Sequence, residues 1–175
     1  GHGPLFSGGV DPREVLGEKL ARAGEYGGFL ALTLRGVYLP GVAEALASRY
    51  AVHPVHVDSE FVATFRELIA ERGQDWELVR RLDAGFGRTG LPKPGFREYV
   101  RKVWERLRDR LVAVGGERTV LLLHHAGLVG RYADLGGREF LTSLQQAARS
   151  ASAKPHGLWV LCPGESAREA PQLDG

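Results

Sequence analysis

Three short runs in this sequence are almost wholly apolar: Phe29-Leu30-Ala31-Leu32-Thr33-Leu34, Thr119-Val120-Leu121-Leu122-Leu123 and Gly157-Leu158-Trp159-Val160-Leu161. Runs of this length between turn residues fit strands covered on both faces, the pattern of parallel sheets. Pro54-Val55-His56-Val57 reads as a fourth, shorter strand ending at Asp58-Ser59.

Helical patterns fill the intervals. Asp11-Pro12-Arg13-Glu14 has a cap, a proline for the first helical position and a capping-box glutamate. Val15, Leu16, Leu20 and Ala23 follow on one face, and Gly24 ends that helix. Pro40 opens a short helix with Val42, Leu46 and Tyr50. Asp58 or Ser59 is expected to cap a helix carrying Phe61, Val62, Phe65, Leu68 and Ile69, which Gly73 stops. Asp75 begins another turn or two, with Trp76, Val79 and Leu82. The Gly- and Pro-rich stretch Gly85 to Gly95 reads as the one real loop. Beyond it Phe96, Tyr99, Val100, Val103, Trp104, Leu107, Leu111 and Val112 form the clearest helical stripe. A helical region through Leu128, Tyr132, Phe140, Leu141, Leu144 and Ala148 breaks around Gly136-Gly137. Alternation of such strands and helices predicts an α/β fold: a parallel sheet of about four or five strands flanked by helices on both faces. The expectation is a Rossmann-like or P-loop-like domain without a functional Walker A loop.

At 175 residues the chain has the size of one domain, and its 43% hydrophobic content is that of a globular protein. Residues 1–9, opening with Gly1-His2-Gly3, read as a tag remnant or flexible start, and residues 10–175 as a single α/β domain. The absence of Met and the close at Gln172-Leu173-Asp174-Gly175 suggest a piece excised from a larger protein. Cys162 is the only cysteine, so no disulfide framework is expected, and no apolar run approaches the roughly 20 residues that span a bilayer. The expected setting is a reducing cytoplasm, away from membranes. A formal charge of +2 is too mild to argue for nucleic acid by itself.

In open α/β sheets ligands bind beyond the carboxyl ends of the strands. Here that rule selects Arg35-Gly36, Asp58-Ser59, His124-His125 and Cys162-Pro163-Gly164. From these, Arg35, Asp58, His124 and His125 are the candidate ligand-binding residues. The turn from Leu34 to Gly41 lacks the glycine spacing, lysine and hydroxyl of a Walker A loop, and no GxGxxG follows a strand. The Val120–Leu123 strand ends in histidines where a magnesium-holding carboxylate would stand. His124 and His125, as consecutive strand residues, should point to opposite faces and could share one metal only if the strand has already ended. His56 and Asp58 share a face and lie near His124 if their strands are neighbours. Imidazole and carboxylate together could hold zinc or iron; the plainer account is histidines that finish strand ends and bond to nearby backbone. No metal and no cofactor are assigned.

Cys162 reads as a buried small residue rather than a nucleophile, and no GxSxG elbow is present. The long helix carries Arg97, Arg101, Lys102, Arg106, Arg108 and Arg110 against Glu98, Glu105 and Asp109. A basic ridge could follow phosphates, but Glu98–Lys102 and Arg101–Glu105 have the i,i+4 spacing of a solvated face, the favoured reading. The Gly85–Gly95 loop, with Phe86, Arg88 and Lys93, is a possible partner contact.

Three segments carry a family resemblance. Leu121-Leu122-Leu123-His124-His125-Ala126-Gly127-Leu128-Val129-Gly130-Arg131-Tyr132 looks like an apolar strand followed by a small residue, Leu and Arg-Tyr. Gly157-Leu158-Trp159-Val160-Leu161-Cys162-Pro163, continuing to Pro171-Gln172-Leu173-Asp174-Gly175, is similar to a closing "GlWlLcP…LDG" signature. Asp75-Trp76-Glu77-Leu78-Val79 with Asp83-Ala84 matches the middle. Together they resemble the C-terminal region of the large serine/threonine kinase of Pgl/BREX phage-defence systems. They also look distantly like the small BREX proteins that end a strand in an apolar-Pro-Gly turn. The resemblance covers the chain from about Gly28 onward and rests on core and turn residues. No HRD loop, DFG or Gly-rich loop over a strand lysine is present. Phosphotransfer would then belong to another region of the parent, and no catalytic residue carries over. The resemblance implies a non-catalytic regulatory or protein-docking domain with a degenerate phosphate loop, whose partners are other phage-defence proteins or other regions of its own chain. The alternatives are a small-ligand or nucleotide-binding domain, conceivably hydrolytic, and nucleic-acid binding through the basic helix.

Overall fold

The computed structural model describes residues 28–34, 52–114, 120–149 and 157–163. The expected helices at Asp11 and Pro40, the start at residues 1–9 and the candidate Arg35 lie outside these residues.

The first strand is β1 (Gly28–Leu34), and β2 (Val52–His56) leads straight into α1 (Val57–Glu71). His56 caps that helix, its Nδ1 accepting from the Ser59 amide at 3.1 Å, and Asp58 and Glu60 in the first turn complement the helix dipole. Phe61, Phe65, Leu68 and Ile69 form its buried stripe, and Gly73, at φ +65°, turns the chain away. Next comes α2 (Trp76–Thr89), capped by Asp75, which accepts from the Glu77 amide at 3.0 Å, and closed by Gly90 in the left-handed region. Pro94 opens α3 (Pro94–Val114), as its fixed φ and missing N–H favour. After β3 (Val120–His124), α4 (Gly127–Arg131), a 3-10 turn (Ala133–Leu135) and α5 (Gly137–Arg149) lead to β4 (Gly157–Pro163).

The structure corrects the expected Rossmann-like or P-loop-like sheet of four or five strands. Where side-chain placement is described, the chain is 74% helical and its sheet is the two-strand parallel pair β2–β3. The backbones of β1 and β4 adjoin that pair in the order β1-β4-β3-β2. Steps β2→β3→β4 advance in one direction, so right-handed crossovers bring the described helices to one face instead of two. The physical reason for the helical weight lies in the stripes. Those of α1 and α3 bury mainly against each other, and α5 packs on α3. Phe61 lies tilted against Trp104 at 4.3 Å between ring centres, Trp104 lies 4.8 Å from Phe140, and Tyr132 sits between Phe61, Phe86 and Phe96. Of these rings Phe61, Phe96, Trp104, Tyr132 and Phe140 are buried, and each stabilises by about 1.5–3 kcal/mol.

A second correction concerns the loop expected from Gly85 to Gly95. Helix α2 runs through Gly85 and Gly87 to Thr89, leaving only a short link before α3. Each interior glycine costs about 1 kcal/mol relative to alanine. At Gly87 the reason is visible: a Cβ there would stand 3.0 Å from the Arg131 guanidinium that crosses the helix. The break expected at Gly136-Gly137 is present, with Gly136 at φ +108°. A Cβ on Gly137 would lie 2.6 Å from the Val129 carbonyl oxygen, so the chain can pass there only without a side chain.

Candidate site at the strand ends

His56 and His124 are register partners on the adjacent strands β2 and β3, which sets their imidazoles side by side with ring centroids 5.2 Å apart. His125 was expected on the opposite face. It is not: β3 ends at His124, and His125 takes φ +50°, a left-handed conformation uncommon for a residue with a Cβ. That turn swings its ring back over His56, parallel to within 8° at 4.3 Å, and brings the Nδ1 atoms of His124 and His125 to 2.7 Å. One nitrogen of that pair donates and the other accepts.

Asp58 completes the cluster from the first turn of α1. Its amide donates to the His125 carbonyl oxygen at 2.9 Å, and its Oδ1 accepts from the Leu128 amide at 2.8 Å. One residue thereby joins the head of α1 to the end of β3 and the start of α4. Three of the four residues selected from sequence, Asp58, His124 and His125, are thus brought together, with His56 among them.

Burial dominates the electrostatics. It pushes Asp58 above the usual carboxylate range, opposed by the Leu128 and Gly127 amides and by His56 and His125. Burial also pushes His124 down to about 4, reinforced by His125 and His56. His125 is lowered for the same reason, and then by His56, with Asp58 acting the other way. Neutral imidazoles are therefore the resting form of His124 and His125 near pH 7.

Among the described residues no three His, Cys, Asp or Glu side chains converge as metal ligands, so the zinc or iron possibility has no geometric support there. His56 Nδ1 is directed at Ser59, and the paired Nδ1 atoms of His124 and His125 are directed at each other. Cys162 lies within β4 with Thr33 as its register partner.

Three of the six basic residues on the α3 ridge bond to acids. Arg106 forms a two-pronged bond with Glu71 at 2.9 and 3.0 Å, Arg110 reaches Glu67 at 2.6 Å, and Arg108 bonds to Asp109. Most of these pairs cross to α1 rather than running along α3 as its spacing suggested. A shallow cleft of about 290 Å³ between α3 and α5 is lined by Arg101, Trp104, Glu105, Arg108 and Phe140 among others. Arg101 and Arg108 of the basic ridge line it, and Asp58, His124 and His125 do not.

Sequence reasoning missed one polar network. Asp83 is only 6% exposed and accepts from the Tyr132 hydroxyl and, at 3.0 Å, from Arg131 Nε, while its own carbonyl oxygen accepts from Arg131 Nη2. Burial, and then the bond to Asp83, pushes the Tyr132 phenol far above its ordinary range. Burial works against the charge on Arg131, but Asp83 and Tyr132 together more than offset it and raise the guanidinium further. The signal was available: Asp83 falls on the same face of α2 as Val79 and Phe86, and a carboxylate on a buried stripe needs a cationic or donor partner.

No helix among the described residues is long and apolar enough to cross a membrane. Comparison with protein-family models, curated proteins and solved structures finds no match for this chain.

Proposed function

We propose that this chain is a regulatory or protein-docking domain of a bacterial phage-resistance serine/threonine kinase, acting through contacts with other defence proteins or with other parts of its own parent. The observation that carries the reading is the mutual placement of the segments behind the resemblance. Asp83, from the middle segment, bonds to Arg131 and Tyr132, from the strand-and-helix segment. Leu158 and Val160, from the closing segment, pair with Leu121 and Leu123. Residues far apart in the chain thus form one packed unit, as a shared scaffold would require. The strand-end polar groups add support of a different kind, since Asp58, His56, His124 and His125 bond chiefly to backbone amides and to one another.

The test adds the purified chain in trans to the kinase region of its parent and follows autophosphorylation, beside ATP hydrolysis by the chain alone. A saturable change in the kinase rate is expected, with no turnover by the chain. Robust hydrolysis or autophosphorylation by the chain itself, or no binding and no change in rate, would overturn the reading.

A second reading, small-ligand binding, is favoured by one observation: Asp58, His124 and His125 sit on neighbouring elements within bonding distance of one another. Titrating nucleotides while following the imidazole proton resonances checks it, and resonances that stay fixed end it. Nucleic-acid binding through α3 draws less support, because Arg106 and Arg110 already face Glu71 and Glu67.

A further inference from the structure

We infer that His56, Asp58, His124 and His125 form a proton-operated latch, closed while the imidazoles are neutral and released when they take up protons. The inference stands on the geometry of the strand ends and does not depend on the kinase reading.

Each imidazole link requires a bare nitrogen. His56 caps α1 by accepting the Ser59 amide at Nδ1, and a proton there would set N–H against N–H at the head of the helix. The His124 and His125 Nδ1 atoms, 2.7 Å apart, hold one proton between them, and a second would place two donors head-on. The His56 and His125 rings lie parallel at 4.3 Å, so charging both sets like charges face to face. These links occupy the joint where β2 ends, α1 begins, β3 ends and α4 begins. Opening them loosens the start of α1 against the turn after β3, which the two Asp58 bonds still join.

The groups facing the latch among the described residues are few. Strand β2 supplies His56, α1 supplies Asp58, and β3 with the turn after it supplies His124 and His125. Helix α4 presents the Gly127 and Leu128 amides. The register of β4 beside β3 ends on the apolar pair Leu123–Val160.

Signs differ within the cluster. His124 and His125 titrate lower folded than unfolded, so the unfolded chain binds more protons as pH falls below about 6.5. Their contribution is complete above that value and is lost on acidification towards about 4 for His124. Asp58, raised in the fold, acts in the opposite sense at lower pH, and its Oδ1 can accept from Leu128 in either protonation state. Between about pH 7 and about pH 5.2 the unfolded chain takes up imidazole protons while ordinary carboxylates stay ionised. The latch is therefore read in that window.

The experiment is urea unfolding of the chain at both ends of the window, beside a triple variant carrying His56→Asn, His124→Asn and His125→Asn. Asparagine caps helices and accepts left-handed φ but does not titrate. The parent should lose roughly tenfold in its folded-to-unfolded ratio on acidification, and the variant should be nearly flat. An equal loss in both proteins overturns the latch. Should the variant not fold, imidazole and amide resonances of the parent decide. One ring staying neutral to about pH 4, with the Ser59 and Leu128 amides shifting as the others charge, supports the latch. Three rings titrating near the free value of about 6.5, with those amides unmoved, overturn it.

Discussion

Replacing Asp83 by alanine tests how α2 is fastened to α4. The carboxylate serves two side chains at once. It holds Arg131, whose side chain is 15% exposed, and accepts the hydroxyl of Tyr132, a fully buried residue. Removing it strands a guanidinium and a phenol. Breaking a buried ion pair from one side costs about 3–5 kcal/mol, and an orphaned buried hydroxyl about 1–3 kcal/mol. The terms overlap, and Arg131 keeps the Asp83 carbonyl oxygen and lies 5.9 and 5.7 Å from the centres of the Phe86 and Tyr132 rings. The expected loss for Asp83→Ala is therefore at the lower end, about 3 kcal/mol, or roughly 6–12 °C in melting temperature for a chain of this size. Tyr132→Phe leaves the Arg131 bond intact and should cost about 1 kcal/mol. The double variant Asp83→Leu with Arg131→Met removes both charges and keeps the volume, so its loss should shrink to about 1 kcal/mol, that of the Tyr132 hydroxyl left without its acceptor. Urea unfolding at neutral pH measures all three. A loss below about 1 kcal/mol for Asp83→Ala, or a double variant as damaged as the single, refutes the claim that this pair is an isolated buried charge couple.

Further outcomes follow from close contacts and caps. Gly85→Ala meets only ordinary contact at 3.8 Å from Arg88 and should stabilise α2 by about 0.5–1 kcal/mol, whereas Gly87→Ala should gain nothing or lose, because its Cβ pushes Arg131 off Asp83. Thermal melts of the two variants, one up and one level or down, check the contrast. Gly137→Ala sets a Cβ 2.6 Å from a backbone oxygen and should cost several kcal/mol or abolish folding; circular dichroism after expression reports it. His56→Ala removes the α1 cap and should cost about 1 kcal/mol at pH 7, while His56→Asn should restore most of it. Arg106→Gln should have an effect that fades in high salt, since the pair it leaves is half exposed.

Much of the local organisation was legible in the sequence because short-range rules decide it. The β2 and β3 runs, the α3 stripe, the stop at Gly73 and the break at Gly136-Gly137 follow from apolar spacing and from glycine's backbone freedom. What failed depended on contacts distant in sequence. Gly87 looks like a loop residue until Arg131 is seen crossing the helix, and Gly85 is carried in the same helix with only an ordinary contact to Arg88. Arg106 and Arg110 look like a phosphate track until α1 presents Glu71 and Glu67. The histidine pair was assigned to opposite faces by strand alternation, and one left-handed residue undid that rule. The balance between sheet and helix was misjudged because a helical stripe does not announce whether it covers a strand or another helix. In the strand-end cluster, residue types and positions could be chosen from sequence. Which atom bonds to which could not, because the Nδ1 partners are set by backbone angles at a single turn.

The bond from the Leu128 amide to Asp58 closes across 70 positions of chain. Helices α1, α2 and α3 and the strand β3 all lie inside that span. A link of this separation forms against a large loop-closure entropy, and it becomes favourable once the intervening helices have collapsed and shortened the distance. Asp58 is therefore expected to close late in folding, as a clasp on a layer already assembled. Amides at the start of α4 should gain protection from hydrogen exchange after those in the middle of α1 and α3.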